Sequence, residues 1–235
     1  MAEEPRPAKA VVWRGGGIYF WWYAGVCAQL RDEGVDLSRL HHVGCSAGAI
    51  AAVLAASGVD FDRAWAVAMA HLERNGALKE GSKACAGVWG DILRQYLDEL
   101  LPPDAHCICT SLVTVVVSCV GLPAIFWREG VSEFPTREAL LDAVMASVHI
   151  PILLNGNFFA DGPSGKKLLD GSIGLDSTLI AMAPGRTVVM DARQALPVGH
   201  VLTVPSLEDL QALVEDGRAH ARDLVAQGNF ETSRH

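Results

Sequence analysis

A serine hydroxyl becomes a useful nucleophile only where a bend exposes it and a base can take its proton. Residues 41–53 read HHVGCSAGAIAAV, which sets Ser46 between Gly44 and Gly48 in the pattern G-x-S-x-G. An apolar strand precedes the pentapeptide and an alanine-rich helix follows it, the context in which the pattern marks a nucleophile elbow. Small neighbours allow a strained strand-to-helix turn that larger side chains would block. The following helix would aim its positive end at the serine oxygen. The same small residues also suit close packing of a helix on a sheet, so the pentapeptide alone leaves both readings open.

A second cluster, Gly15-Gly16-Gly17, lies earlier in the chain, again between a strand and a helix. Three glycines can turn their amides inward as a nest for negative charge. Aimed at a tetrahedral intermediate, such a nest is an oxyanion hole, each donor contributing about 3 kcal/mol. A phosphate loop fits poorly, because there is no Walker lysine and Phe20 fills the last glycine place of G-x-G-x-x-G. Three residues compete as the base. His200, in LPVGHVL, and His220, on a late helix between Arg218 and Arg222, have the chain position of a triad histidine but no local signature. Asp170 ends an apolar strand and precedes Gly171 and Ser172, which would project a carboxylate into a cleft. Burial would raise its pKa toward a working base. Asp-Gly is equally an ordinary turn.

These residues need a scaffold. The order strand (KAVVW), glycine turn, helix (IYFWWYAGVCAQLRDEG), strand (LHHVGC), glycine turn, helix (AGAIAAVLAASG) implies right-handed βαβ units and a largely parallel sheet. Further helices are predicted over DFDRAWAVAMAHLERNG, with Asp60 or Asp62 near its cap, and over VWGDILRQYLDELLPPDA, closed by Pro102 and Pro103. Another is predicted over TREALLDAVMASVHIP, capped by Thr136 and ended by Pro151. CICTSLVTVVVSCVG supplies one or two strands, and KKLLDGS and RTVVMDA one each. A closing helix over SLEDLQALVEDGRAHARDLVAQG spaces Leu207, Leu210, Leu213, Val214, Ala221, Leu224 and Val225 for one face. Too few Lys and Arg line its polar face for a membrane-surface helix.

Composition narrows the class. The 235 residues are 50% hydrophobic with a net charge of −8, a globular chain of one substantial core. The charge argues against nucleic acid and does not favour docking on anionic membranes. No run of about 18 apolar residues appears, so no helix is expected to span a bilayer. The six cysteines (27, 45, 85, 107, 109, 119) form no C-x-x-C pair and follow no secretory leader, which predicts reduced thiols in a cytosolic setting. Cys107 and Cys109 are expected on one face of a strand with His106 on the other, an arrangement that argues against a metal site.

Taken in order, RGGGIYF…YAGV, VGCSAGAI, ASVHIP and LLDGSIG resemble the patatin-like phospholipase family. TSLVTVVV followed by PTREALLDAVMASVHIPIL is similar to its adiponutrin and adipose triglyceride lipase branch. The resemblance covers residues 10–183 and implies a three-layer α/β/α fold and a Ser-Asp dyad without histidine. By position Ser46 becomes the nucleophile, Asp170 the base, Gly15 to Gly17 the oxyanion loop, and Gly44 and Gly48 the flanks of the elbow. The chemistry implied is cleavage or transfer of fatty acyl groups of phospholipids or acylglycerols, with no metal or organic cofactor. The substrate would be met at a membrane or lipid-droplet surface by a cytoplasmic protein without a transmembrane segment.

The chain departs from the family pattern in several places. Arg14 stands where an Asp usually begins the glycine loop, and Tyr19 and Phe20 replace a basic residue and Gly. Ser172 takes a place usually held by Gly or Ala, a mild change. The altered loop motivates an alternative, a lipid-binding or scaffold protein that kept the fold and lost the chemistry; acyl transfer to an alcohol acceptor is a further one. The expected organisation is a flexible tail over residues 1–9, the acyl hydrolase domain over 10–183, and a strand and closing helix over 184–235 packed on the same domain.

Overall fold

The computed structural model describes residues 7–76, 89–121, 125–162, 165–174, 177–192 and 206–233. Seven strands form one sheet: β1 (Ala10–Trp13), β2 (His41–Cys45), β3 (Val113–Val120), β4 (Phe126–Val131), β5 (Ala160–Asp161), β6 (Lys167–Leu169) and β7 (Thr187–Met190). Their order is β5-β6-β3-β2-β1-β7, with β4 paired to β3. The inner pairs β1/β2, β1/β7 and β2/β3 are parallel, and β4, β5 and β6 add an antiparallel margin.

The helices are α1 (Phe20–Asp32), α2 (Ala47–Ala56), α3 (Phe61–Arg74), α4 (Trp89–Leu100), α5 (Ala105–Cys109), α6 (Arg137–Ser147), α7 (Ser177–Ala181) and α8 (Leu207–Ala226). Strand side chains alternate between the two faces. Val11, Trp13, Val113 and Val115 pack into the main core with α1, α2, α3 and α8. Val12, Val43, Cys45 and Val116 form the opposite cluster, covered by Leu179 of α7. The α/β/α layering is thus thick on one side and thin on the other among the described residues. No helix there is long and apolar enough to cross a membrane.

Local signals place most helix ends. Asp60 accepts from the amides of Asp62 and Arg63, and Thr136 from that of Ala139, leaving fewer orphan donors at the starts of α3 and α6. Four expectations need correction. Residues 107–109 are helical rather than extended: the amides of Cys107 and Ile108 bond to the Asp104 carbonyl in a turn launched after Pro102-Pro103. Cys107 is therefore exposed while Cys109 is buried, and His106 Nε2 lies 3.4 Å from the Cys107 sulfur instead of on an opposite face. The helix expected to run to Pro151 stops at Ser147, leaving the carbonyls of Ser147 and His149 for other bonds. Leu207, placed on the apolar face of α8, is 48% exposed. Within the tail expected over residues 1–9, the Ala8 amide donates to the Asn229 carbonyl at 2.8 Å, and Lys9 and Ala10 bond to the Arg186 carbonyl, so these residues are fixed. No group of His, Cys, Asp and Glu suited to a metal occurs among the described residues.

The C-terminal segment belongs to the same core: β7 extends the sheet beyond β1, and α8 lies across α1. Two glycines permit that crossing. A Cβ on Gly25 would collide with the Val214 carbonyl, and one on Gly217 with that of Trp22. His220 packs at this interface, its ring tilted 43° to that of Trp22 with the centroids 4.9 Å apart.

Because both obstacles at the crossing are backbone atoms, Gly217→Ala is expected to cost about 3 kcal/mol in urea denaturation. Gln211→Ala, on the exposed side of α8, is expected to change stability by less than about 0.5 kcal/mol.

Candidate active site

The site forms where two strands meet end to end. Along one edge of β3, β2 pairs as far as Cys45 opposite Val116, and β6 runs in from the other direction as far as Leu169 opposite Ser118. β4 occupies the other edge of β3 from Val115 to Val120. Only Val117 separates the two strand ends, so the residues that follow them, Ser46 and Asp170, face each other. The Ser46 hydroxyl donates to Asp170 Oδ2 at 2.7 Å across 124 positions of sequence.

Ser46 adopts φ 53° and ψ −131°, a left-handed conformation that costs a non-glycine residue about 1–3 kcal/mol. Its neighbours explain why the bend persists. A Cβ on Gly44 would strike the Gly48 carbonyl, and one on Gly48 would strike that of Trp13. The Ser46 amide donates to Ser147 Oγ at 2.9 Å, and that hydroxyl donates in turn to the Val116 carbonyl at 2.7 Å. α2 begins immediately after Ser46 and points its N-terminal amides at it.

Asp170 is 2% exposed. Burial raises its pKa above the usual carboxylate value; against that shift, Ser172 donates from its hydroxyl and its amide, Ser46 from its hydroxyl, and Arg128 contributes positive charge. The Ser172 donors reach Oδ1 at 2.5 and 2.8 Å, leaving Oδ2 to Ser46. The Asp-Gly turn is held by the segment after α6: the Asp170 amide donates to the His149 carbonyl at 2.9 Å, and the Gly171 amide to that of Ser147 at 2.8 Å. On the far side the Ile173 carbonyl accepts from Ser118 Oγ at 2.7 Å and Arg128 Nε at 3.3 Å.

The glycine loop adjoins this pair. A Cβ on Gly15 would stand 2.5 Å from Ser172 Cβ and 3.3 Å from Ser46 Cβ, so the loop and the dyad are nearest neighbours. The amides of Gly15, Gly16 and Gly17 donate to no backbone carbonyl among the described residues. Arg14, the departure at the head of the loop, forms an ion pair with Asp191, and its carbonyl accepts from Tyr23 Oη at 2.7 Å. The side-chain change therefore anchors the loop to the end of β7 and leaves its backbone in place.

An apolar cavity of about 200 Å³ reaches Ser46 and Gly17. Ile50 of α2, Leu72 of α3, Ile92 of α4, Ile150 after α6 and Leu210 of α8 contribute to its wall. Of the consecutive aromatic residues 19–23, Phe20 and Trp21 line this cavity, whereas Tyr19, Trp22 and Tyr23 are packed in the core.

The sequence-derived residues Gly15, Gly16, Gly17, Gly44, Ser46, Gly48 and Asp170 are thus brought together. His220 is not: it lies between α1 and α8, and no histidine side chain hydrogen-bonds to Ser46 or Asp170 among the described residues. His200 lies outside the described residues. Sequence reasoning missed Ser147, Ser172 and Arg128 as parts of the site. The one signal for Ser147 is its place in ASVHIP, and Ser172, a mild change by sequence, holds the carboxylate with its hydroxyl.

Residues 11–183 match the patatin-like phospholipase family model. The omega-hydroxyceramide transacylase of Homo sapiens is 29% identical over 63% of this chain, and that of Mus musculus 26% over 72%. The match takes in 28% of each relative, so the chain spans less than a third of their length. Among solved structures, VipD from Legionella pneumophila is similar over 94% of this chain and 67% of its own, at 15% identity and a TM-score of 0.49. ExoU–SpcU from Pseudomonas aeruginosa is similar over 95% of this chain and 52% of its own, at 16% identity and a TM-score of 0.46. With the family model matched over most of its length, the chain belongs to the patatin-like phospholipase family.

Proposed function

We propose that the protein is a serine acyl hydrolase that opens fatty acyl esters of phospholipids or acylglycerols through a covalent acyl-enzyme. The observation that carries this reading is the 2.7 Å bond from the Ser46 hydroxyl to a buried Asp170, at the end of an apolar cavity. With the acyl chain in the cavity, Ser46 Oγ attacks the ester carbonyl and its proton passes to Asp170 Oδ2. The carbonyl oxygen, now negative, is held by the amides of Gly15, Gly16 and Gly17. Collapse breaks the ester C–O bond, and the leaving alcohol takes the proton from Asp170. Water then repeats the sequence on the acyl-serine, releasing the fatty acid.

Acyl transfer is a second reading, favoured by the names of the two relatives. It differs only in the last step, where a lipid hydroxyl replaces water and gives up its proton to Asp170. Products formed from a labelled triacylglycerol, with and without an omega-hydroxyceramide acceptor, distinguish free fatty acid from acylated acceptor. A scaffold without chemistry would leave Ser46 unlabelled by a fluorophosphonate probe.

Ser46→Ala is expected to abolish fluorophosphonate labelling and to lower ester turnover by roughly a thousandfold or more; full residual activity would overturn the assignment. Asp170 works as a base only when ionised, and its pKa is raised. Labelling rate should therefore fall with decreasing pH along a limb lying above the ordinary carboxylate value of 3.8. Ser172→Ala removes one donor to the ionised form and is expected to move that limb to still higher pH, with the fold retained. Ser147→Ala leaves the buried Ser46 amide without its acceptor and is expected to cost about 1–3 kcal/mol in urea denaturation, together with slower labelling.

A further inference from the structure

Residues 150–160, Ile-Pro-Ile-Leu-Leu-Asn-Gly-Asn-Phe-Phe-Ala, join α6 to β5 without one charged side chain. The segment is ordered by its own bonds: the Ile152 amide donates to the Asn157 carbonyl at 2.8 Å, and the Gly156 amide to that of Ile152 at 2.9 Å. It is also tied to α4, where the Gly90 amide donates to the Leu154 carbonyl at 2.8 Å. Its apolar residues divide between two surroundings. Ile150, Leu153 and Leu154 line the cavity that reaches Ser46. Ile152 and Phe158 are 58% and 56% exposed to solvent.

Ile152 is unfavourable on two counts. Its φ of +67° lies in the left-handed region, which a β-branched side chain rarely enters and which Asn or Gly would occupy with little strain. More than half of its surface is also left in water. A strained, exposed isoleucine in a loop fixed by hydrogen bonds is the pattern of a residue kept for contact with something apolar.

We propose that this loop is the surface by which the protein docks on a lipid interface of no net charge, with Ile152 and Phe158 entering the acyl region beside the cavity. The inference rests on the acyl hydrolase reading and names where its substrate is met. Charge selects the kind of interface: the loop carries no Lys or Arg and the chain carries −8, whereas docking on anionic lipid draws on clustered basic residues. Continuity with the cavity selects lipid over a protein partner. The same segment that meets the interface also walls the path to Ser46, so an acyl chain can pass from one to the other along apolar side chains.

The test uses the full chain carrying Ser46→Ala, so that docking is read without turnover, in flotation with phosphatidylcholine vesicles. Binding is expected, and Ile152→Asn and Phe158→Ser are each expected to weaken it about tenfold. Added phosphatidylserine should not strengthen it. Ile152→Asn should also raise Tm, because asparagine relieves the strain at φ +67°. With Ser46 intact, both variants should hydrolyse a soluble short-chain ester at the unmodified rate. Absence of binding to phosphatidylcholine, undiminished binding by both variants, or binding that requires phosphatidylserine would overturn the docking surface. So would conversion of a dimer to a monomer by Ile152→Asn with vesicle binding unchanged. Failure of the catalytic reading shows separately, as ester turnover that survives Ser46→Ala while flotation is unaffected.

Discussion

A carboxylate removed from water loses its hydration and must regain it from fixed donors, or take up a proton. Asp170 is in that position, and its two oxygens divide the task. Oδ1 is served by the hydroxyl and amide of Ser172, and Oδ2 by the hydroxyl of Ser46. Withdrawing water raises the basicity of the group, and supplying donors to one oxygen keeps it ionisable while the other remains directed at the serine. Much of the surrounding fold serves this balance. Arg128 and Ser118 fix the turn on one side, and the carbonyls after α6 fix it on the other.

Ser147 links the two halves of the dyad. Its hydroxyl receives the amide of the strained Ser46 and passes a bond to β3, while its own carbonyl receives the amide after Asp170. A residue more than a hundred positions from the nucleophile thus sets the positions of both partners. Because α6 ends at Ser147 and Pro151 has no N–H to offer it, the Ser147 carbonyl, like that of His149, is left to accept from the Asp-Gly turn. Strain at Ser46 persists because the surrounding bonds over-determine it.

The parts of this structure legible in the sequence are those specified locally. Strand, glycine turn and helix follow one another within a few residues, and caps such as Asp60 and Thr136 act on amides two or three positions away. Ser46 and its flanking glycines carry their meaning within five residues. What was not legible depends on partners distant in the chain. β4, largely exposed, and the two-residue β5 are strands defined by pairing with β3 and β6. The turn at 105–109 has apolar content that suits a strand, yet Asp104 and the preceding prolines decide for a helix. Ser172 looks neutral in sequence because its contribution is a hydrogen bond to a group whose burial no spacing reveals. Arg14 looks disruptive, and its salt link to Asp191 lies 177 positions away.

The end-to-end meeting of β2 and β6 on one edge of β3 makes β3 a ruler for the chemistry. The chain connecting Ser46 to Asp170 can lengthen or shorten at its loops without altering their separation, because neither loop sets it. One residue inserted into β3 between Val116 and Ser118 would part the two strand ends by about 3.3 Å and turn one of them over. Tolerance to change in this protein is therefore distributed by geometry rather than by closeness in the chain to the reacting serine, and its least forgiving stretch is three residues of a strand that themselves do no chemistry.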